Sequence, residues 1–256
     1  MKLIDPNAIY VLWLREMKRY MRAKSRVLGT LVMPLMFLGF LGFGFNGVAI
    51  PGMGEGVDYL HFLIPGILGM GLLFTSIFAG ISVLWDREFG FLKEIMIAPV
   101  SRVSIVLGRI AGGATTSVLQ SILILVIAII AGFSVPSLSG FAVSLLFMVL
   151  ISSTFIGLGL IFASNMKDMQ GFNLIMNFVI FPMFFLSGAV FPLANLPDAI
   201  KIISYADPLT YGVDGMRGAL VGNSMLPLEV DFVVLSAFAL SMVVLGAYFF
   251  EKSESV

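Results

Sequence analysis

Six long apolar runs, separated by short polar or Gly/Pro-punctuated joints, organise the sequence. A window of about 19 residues places them near 27–46, 60–84, 103–132, 138–163, 172–191 and 229–250. A helix of about 20 residues crosses the hydrocarbon of a bilayer, so each run is predicted to be a membrane span. The third is longer than a bilayer requires. Its first turns, which carry Arg109, are expected to protrude into the headgroups, or the span to tilt.

Residues 7–26, "NAIYVLWLREMKRYMRAKSR", have a different periodicity. Arg15, Arg19, Arg22 and Arg26 follow helical spacing, while Ile9, Trp13, Met17 and Tyr20 track another face. This pattern predicts an amphipathic interfacial helix leading into span one, with Trp13 and Tyr20 at headgroup level and the arginines near phosphates or the cytoplasm.

Between spans two and three lies "WDREFGFLKEIMIAPVSR", residues 85–102, with Asp86, Arg87, Glu88, Lys93, Glu94 and Arg102. Burying six charges at roughly 2.5 to 3.5 kcal/mol each would cost on the order of 15 kcal/mol, so the stretch stays out of the hydrocarbon. A helical projection of 86–97 gathers Phe89, Phe91, Leu92, Ile95 and Met96 into an arc of about 160°, opposite Asp86, Arg87, Lys93 and Glu94. A helix over 86–98 lying along the membrane surface is predicted, ended by Pro99, which disfavours helical geometry before it and has no amide to donate.

The joint after span five, 192–228, holds two short helical candidates. Asn195 is placed to cap one, with Pro197 in its first turn; Asp207 followed by Pro208 fits the cap and first position of the next. Asp214 and Arg217, spaced i, i+3, can pair on one face. Capping and a local ion pair are the expected roles, with direct substrate contact as the alternative.

Composition agrees with a membrane protein: 59% hydrophobic and 12% charged residues, with mean hydropathy +1.05. Soluble domains average about 45 to 50% apolar and about 25% charged. With Lys+Arg 15 against Asp+Glu 15, no nucleic-acid partner is suggested; membrane lipids are. The start "MKLIDPNAIY" lacks the features of a removable signal peptide. Charge distribution sets orientation: all Lys and Arg except Lys201 and Arg217 fall on the side that holds both termini. The positive-inside rule therefore makes both termini cytoplasmic and the chain multi-pass.

The chemistry that is missing narrows the function. There is no cysteine, no H-E-x-x-H and a single histidine, His61, near the outer end of span two. No catalytic or metal-ligating set is predicted. "LSG" at 186–188 would need a deep histidine in another span to act as a hydrolase. No G-x-x-x-x-G-K-[ST] occurs, so the sequence offers no cradle for ATP phosphates and no cofactor of its own. Near the span centres there are polar but no charged residues. Most serve packing; Gln120, Asn173 and Asn177 are the candidates for lining a path, because a lipid-facing amide is costly.

"REFGFLKEIMIAPVSRVSIVLGR" (87–109) followed by "FPLANLPDAIKIISYADPLTYGVDGMRGAL" (191–220) resembles the membrane subunit of an ABC-2 type exporter, the group that includes daunorubicin-resistance and polysaccharide-export permeases. The resemblance covers essentially the whole chain as a single transmembrane domain, 1–256. It implies an all-α integral membrane protein with six transmembrane helices. It makes 86–98 a cytoplasmic coupling helix, with Arg87, Glu88, Phe89, Leu92, Lys93, Glu94 and Pro99 docking on a separate ATPase subunit. It makes 192–228 an extracellular segment of short re-entrant helices carrying Asp207, Pro208, Asp214 and Arg217. Two copies of that ATPase, binding Mg-ATP, would serve a permease homodimer in a prokaryotic plasma membrane, and cargo would move along the dimer interface. The cargo would be lipid-like, drug-like or a glycan. The rivals are a non-transporting scaffold that recruits a cytoplasmic partner, and a secondary carrier, which intramembrane charge and inverted repeats would favour.

Overall fold

Asp5 and Pro6 start the first helix. In the computed structural model, which describes residues 4–45, 58–89, 100–135, 137–166 and 170–253, α1 spans Pro6–Arg22. The Asp5 carboxylate accepts from the Asn7 amide at 3.0 Å, and Pro6 occupies the first turn, where no amide is needed. Arg19 and Arg22 complement the negative end of the helix dipole. Ala23 leaves helical geometry, and the chain bends by 72° between α1 and Val27–Gly42. The helix predicted over 7–26 therefore ends four residues early, and α2 (Lys24–Phe37) continues as a π turn at Leu38–Gly42.

Three long helices follow: α3 (Tyr59–Glu88), α4 (Arg102–Ile130) and α5 (Leu138–Asn165). Then α6 (Gln170–Ile175), a π turn at Met176–Ile180 and α7 (Phe181–Leu186) form one interrupted apolar element. After a 3-10 turn at Leu193–Asn195 come α8 (Asp198–Tyr205), α9 (Pro208–Val221) and α10 (Leu228–Ser253). The described residues contain no strand. Among the described residues, four helices are long and apolar enough to cross a membrane: Tyr59–Asp86, Arg102–Ile130, Leu138–Asn165 and Leu228–Lys252; counting the bent α1–α2 pair as one span makes five.

Two further boundaries differ from the sequence pattern. Asn195 caps no helix: it closes the 3-10 turn, and α8 begins at Asp198 behind Pro197, whose extended backbone blocks an earlier start. Asp86 does not open a surface helix either. It lies in the last turns of α3, which runs unbroken to Glu88. Residues 90–99, with Leu92, Lys93, Glu94 and Pro99, lie outside the described residues.

The core is built around α3. Phe62, Leu63, Ile64, Ile67, Leu68, Met70, Leu72 and Leu73 are all buried, so this helix is apolar on every side and sits centrally, against α2, α4, α5 and α9. Lipid supplies no hydrophobic drive between spans, so close backbone approach has to hold them together. Gly80 of α3 meets α5, where an added Cβ would lie 2.6 Å from the Ile156 carbonyl and 2.8 Å from Gly159 Cα. Gly157 of α5 likewise faces α10, with a Cβ only 2.5 Å from the Met242 carbonyl. Most hydroxyls inside the bundle turn to their own helices, as Thr75 donates to the Gly71 carbonyl at 2.6 Å and Ser152 to that of Met148 at 2.8 Å, while Ser76 donates across to Ser117 of α4 at 3.2 Å.

Candidate functional site

One end of the bundle is joined by an ionic cluster. Asp86, near the end of α3, is paired with Arg109 of α4, and both are buried. Arg15 of α1 reaches the same carboxylate, with Nη2 3.4 Å from each oxygen. The sequence pattern expects Arg109 among the headgroups or on a tilted turn; it is 5% exposed because Asp86 neutralises it inside the protein. The Arg109 Nε is buried without a partner, which makes the cluster sensitive to loss of its one carboxylate.

The seat of α1 explains how Arg15 gets there. Gly108 and Gly112 of α4 leave room for it: a Cβ at either would lie 2.8 Å from a Cβ of Leu12 or Glu16. Trp13 Nε1 donates to the Thr115 hydroxyl at 3.1 Å, and the Asp5 amide to the Ser104 hydroxyl at 2.8 Å. Ser101 caps α4 by accepting from the Ser104 amide, and Arg102 donates to the Glu251 carbonyl of α10 at 2.7 Å. Four helices thus meet where the chain leaves α3 at Glu88–Phe89 and returns at α4. Phe89 is 84% exposed there.

The opposite end is closed by α9. Asp207 caps it, Oδ1 accepting from the Leu209 amide at 2.9 Å, with Pro208 as the first helical residue. Burial pushes the Asp207 carboxyl up to about 7, partly opposed by that amide. Thr210 donates to the Ser204 carbonyl at 2.7 Å and Tyr211 to that of Tyr205 at 2.8 Å, fixing α9 to α8. Asp214 and Arg217 sit on one face, but each is held chiefly by something else. The Asp214 carboxylate accepts from the Met225 and Leu226 amides at 2.8 to 2.9 Å and folds the following turn back on α9. Arg217 donates to the Gly188 carbonyl at 3.0 Å and to that of Phe62 at 3.4 Å, with its guanidinium carbon 3.9 Å from the centre of the Phe62 ring. Asp214 and Arg217 approach only to 3.9 Å. Burial pulls Arg217 down to about 10, with Asp214 opposing, so it stays charged at neutral pH.

The three amides are dispersed. Gln120 is buried and bonded to Thr30 of α2. Asn173 and Asn177 are exposed, one helical turn apart, on the outer face of the interrupted element.

The sequence profile of the ABC-2 type transporter family matches residues 7–221, from the first turn of α1 to the last residue of α9, and so takes in both ends. The chain belongs to the ABC-2 type transporter family. Among its relatives, the inner membrane transport permease YadH of Escherichia coli K12 is 30% identical over 237 residues, 90% of each chain. Nodulation protein J of Rhizobium meliloti is 30% identical over 223 residues, 85% of this chain and 82% of the relative. The putative transport permease ycf38 of Cyanophora paradoxa is 26% identical over 210 residues, 82% and 72% of the two chains. Family and apolar helices agree on a multi-pass membrane protein that serves transport as a permease rather than as an enzyme.

Proposed function

We propose that the chain is the membrane-spanning subunit of an ATP-driven exporter, working as a homodimer with two copies of a separate ATPase that binds Mg-ATP. The observation that carries the reading is the Arg15–Asp86–Arg109 cluster, placed at the root of the segment assigned to coupling. ATPase closure would displace 86–98 through Arg87, Glu88, Phe89, Leu92, Lys93, Glu94 and Pro99. Asp86 would pass that displacement to α1 and α4, changing the tilt of the permease halves. Exposed Phe89 supports a partner surface beside this segment.

The orientation puts this end in the cytoplasm of a prokaryotic cell, by the positive-inside rule, and 192–228 outside. Six spans form a single domain over 1–256 if α2 with its π turn and α6–α7 each cross. Lys24–Gly42 would extend about 28 Å at 1.5 Å per residue, close to the hydrocarbon thickness. In the same reading α9 is re-entrant, held from outside by Asp207, Pro208, Asp214 and Arg217. Exposed amides at Asn173 and Asn177 are costly against lipid, which supports a second copy or a hydrated path covering that face. Gln120 lies deeper, on the α2 side. A lipid-like, drug-like or glycan cargo would move between the two copies.

The test is co-purification with the partner ATPase and reconstitution. ATP-dependent efflux from proteoliposomes is expected; binding of a cytoplasmic protein with no nucleotide-dependent movement of any cargo would favour a scaffold instead.

A further inference from the structure

The elbow between α1 and α2 encloses a cleft that the exporter reading does not use. It has a volume of about 340 Å³ and runs between the elbow and the facing sides of α3 and α4. Its deep end is closed by the Gln120–Thr30 hydrogen bond. Beside that pair, Thr75 and Thr116 turn their hydroxyls to the Gly71 and Gly113 carbonyls of their own helices. The walls therefore present mainly carbon, from Val27, Phe78 and Ala79, with Trp85 nearer the mouth.

The mouth is polar and basic. Arg19 lines it, 3.6 Å from Glu16, and Tyr20 contributes a hydroxyl that is buried without any hydrogen-bond partner. Arg19 and Ala23 also line a second hollow of about 630 Å³ on the other side of α1, where Arg15, Lys18 and Arg22 gather. Arg19 is the cation at the mouth itself, beside Glu16; Lys18 and Arg22 stand in the adjoining hollow and Arg15 is held by Asp86, so this stretch of α1 keeps an excess of positive charge that favours an anion. A carbon-walled slot opening beneath a cationic mouth at the membrane surface matches an anionic amphiphile in shape and charge.

We propose that the cleft binds an anionic phospholipid of the leaflet at the α1 end, cytoplasmic in the orientation above. One acyl chain lies along Val27 and Phe78 toward the Gln120–Thr30 pair. The phosphate takes Arg19, and a small turn of the Tyr20 ring gives the orphan hydroxyl a phosphate oxygen to donate to. The lipid fills the angle of the elbow and so fixes the pose of α1 against α4. The site stands whatever the cargo is, and whether or not an ATPase drives it.

Only 2 tryptophans occur in the sequence, and one of them, Trp85, lines the cleft. Quenching of tryptophan fluorescence by phosphatidylglycerol with brominated acyl chains, titrated into the purified full chain in detergent, reports occupancy. Both headgroups carry the phosphate, but the choline of phosphatidylcholine brings a cation up to Arg19, so brominated phosphatidylglycerol is expected to quench at about ten-fold lower concentration than brominated phosphatidylcholine. Arg19→Gln should remove that preference, and Tyr20→Phe should weaken the binding of both lipids. Val27→Phe should block the chain and abolish the saturable component with all four cations in place, and Trp85→Phe should remove the signal. Selective quenching that survives Val27→Phe or Trp85→Phe would overturn the site in favour of general attraction to a basic surface, and equal quenching by both lipids would overturn it in favour of unselective insertion of acyl chains. Glycerol phosphate matching the whole lipid as a competitor would make it a phosphate site instead and equally refute the proposal.

Discussion

The carboxylate of Asp86, in the last turns of α3, is held by the buried guanidinium of Arg109 on α4. These residues lie on either side of 87–99, the segment proposed to couple, so their pairing ties its two flanking helices together. Arg15 makes α1 the third member. Removing one partner of a buried pair is more damaging than removing both, because the survivor keeps an uncompensated charge. Asp86→Ala should therefore destabilise the chain by about 3 to 5 kcal/mol, whereas Asp86→Leu combined with Arg109→Met should recover most of that. Thermal unfolding in detergent by intrinsic fluorescence checks the ordering.

At the other end, Asp214 and Arg217 invite the same cycle but should give a different answer. Their separation is 3.9 Å, and each satisfies separate backbone groups. Arg217→Ala strands the Gly188 and Phe62 carbonyls, and Asp214→Ala strands the Met225 and Leu226 amides. Each loss should be about 1 to 3 kcal/mol, and the double variant should be no more stable than the worse single one. A double variant that regains stability would show that the pair itself dominates.

Asp207 predicts a pH dependence. Its folded-state pKa of about 7 lies above the unfolded value of about 3.9, so the folded chain binds the extra proton between the two. The stabilising contribution of the protonated form is complete at low pH and is lost as pH rises through about 7. Asp207→Asn retains an oxygen for the Leu209 amide and cannot ionise. Its melting temperature should match the parent near pH 3.5, begin to exceed it near pH 5 and exceed it fully at pH 8; a parallel pair of pH profiles would refute the assignment.

Close packing of α3 on α5 gives a steric prediction. The Cβ of Gly80→Ala would fall 2.6 Å from a backbone carbonyl, which cannot rotate away, so the helices must separate at a cost of about 1 to 3 kcal/mol. Gly29→Ala, with nothing within 4 Å, should be neutral or slightly stabilising. Melting temperatures of the two variants provide the comparison.

Much of the architecture is legible in hydropathy alone, since α3, α4, α5 and α10 begin and end within four residues of the apolar runs. Periodicity also locates α1, and Asp-Pro chemistry locates the start of α9 at Asp207. What escaped was set by tertiary contact. Nothing local shows that Arg15 and Arg109 share Asp86, although a charge within an apolar run calls for a partner and Asp86 ends the neighbouring run. The principal partners of Arg217 are carbonyls more than 25 residues away, which spacing rules for one helix cannot find. The 72° elbow at Ala23 has neither proline nor glycine to announce it.

The proposed coupling of the ATPase to the spans through this cluster can be cut in the Asp86→Leu, Arg109→Met permease. The measurement is cargo moved per ATP hydrolysed in proteoliposomes containing this permease and its co-purified ATPase, beside the parent complex. The variant is expected to fold, to retain the ATPase through residues 87–99 and to hydrolyse ATP, while cargo moved per ATP falls at least ten-fold. An unchanged ratio in a complex of normal composition would leave the Asp86 cluster as a fastening of α1 with no part in coupling.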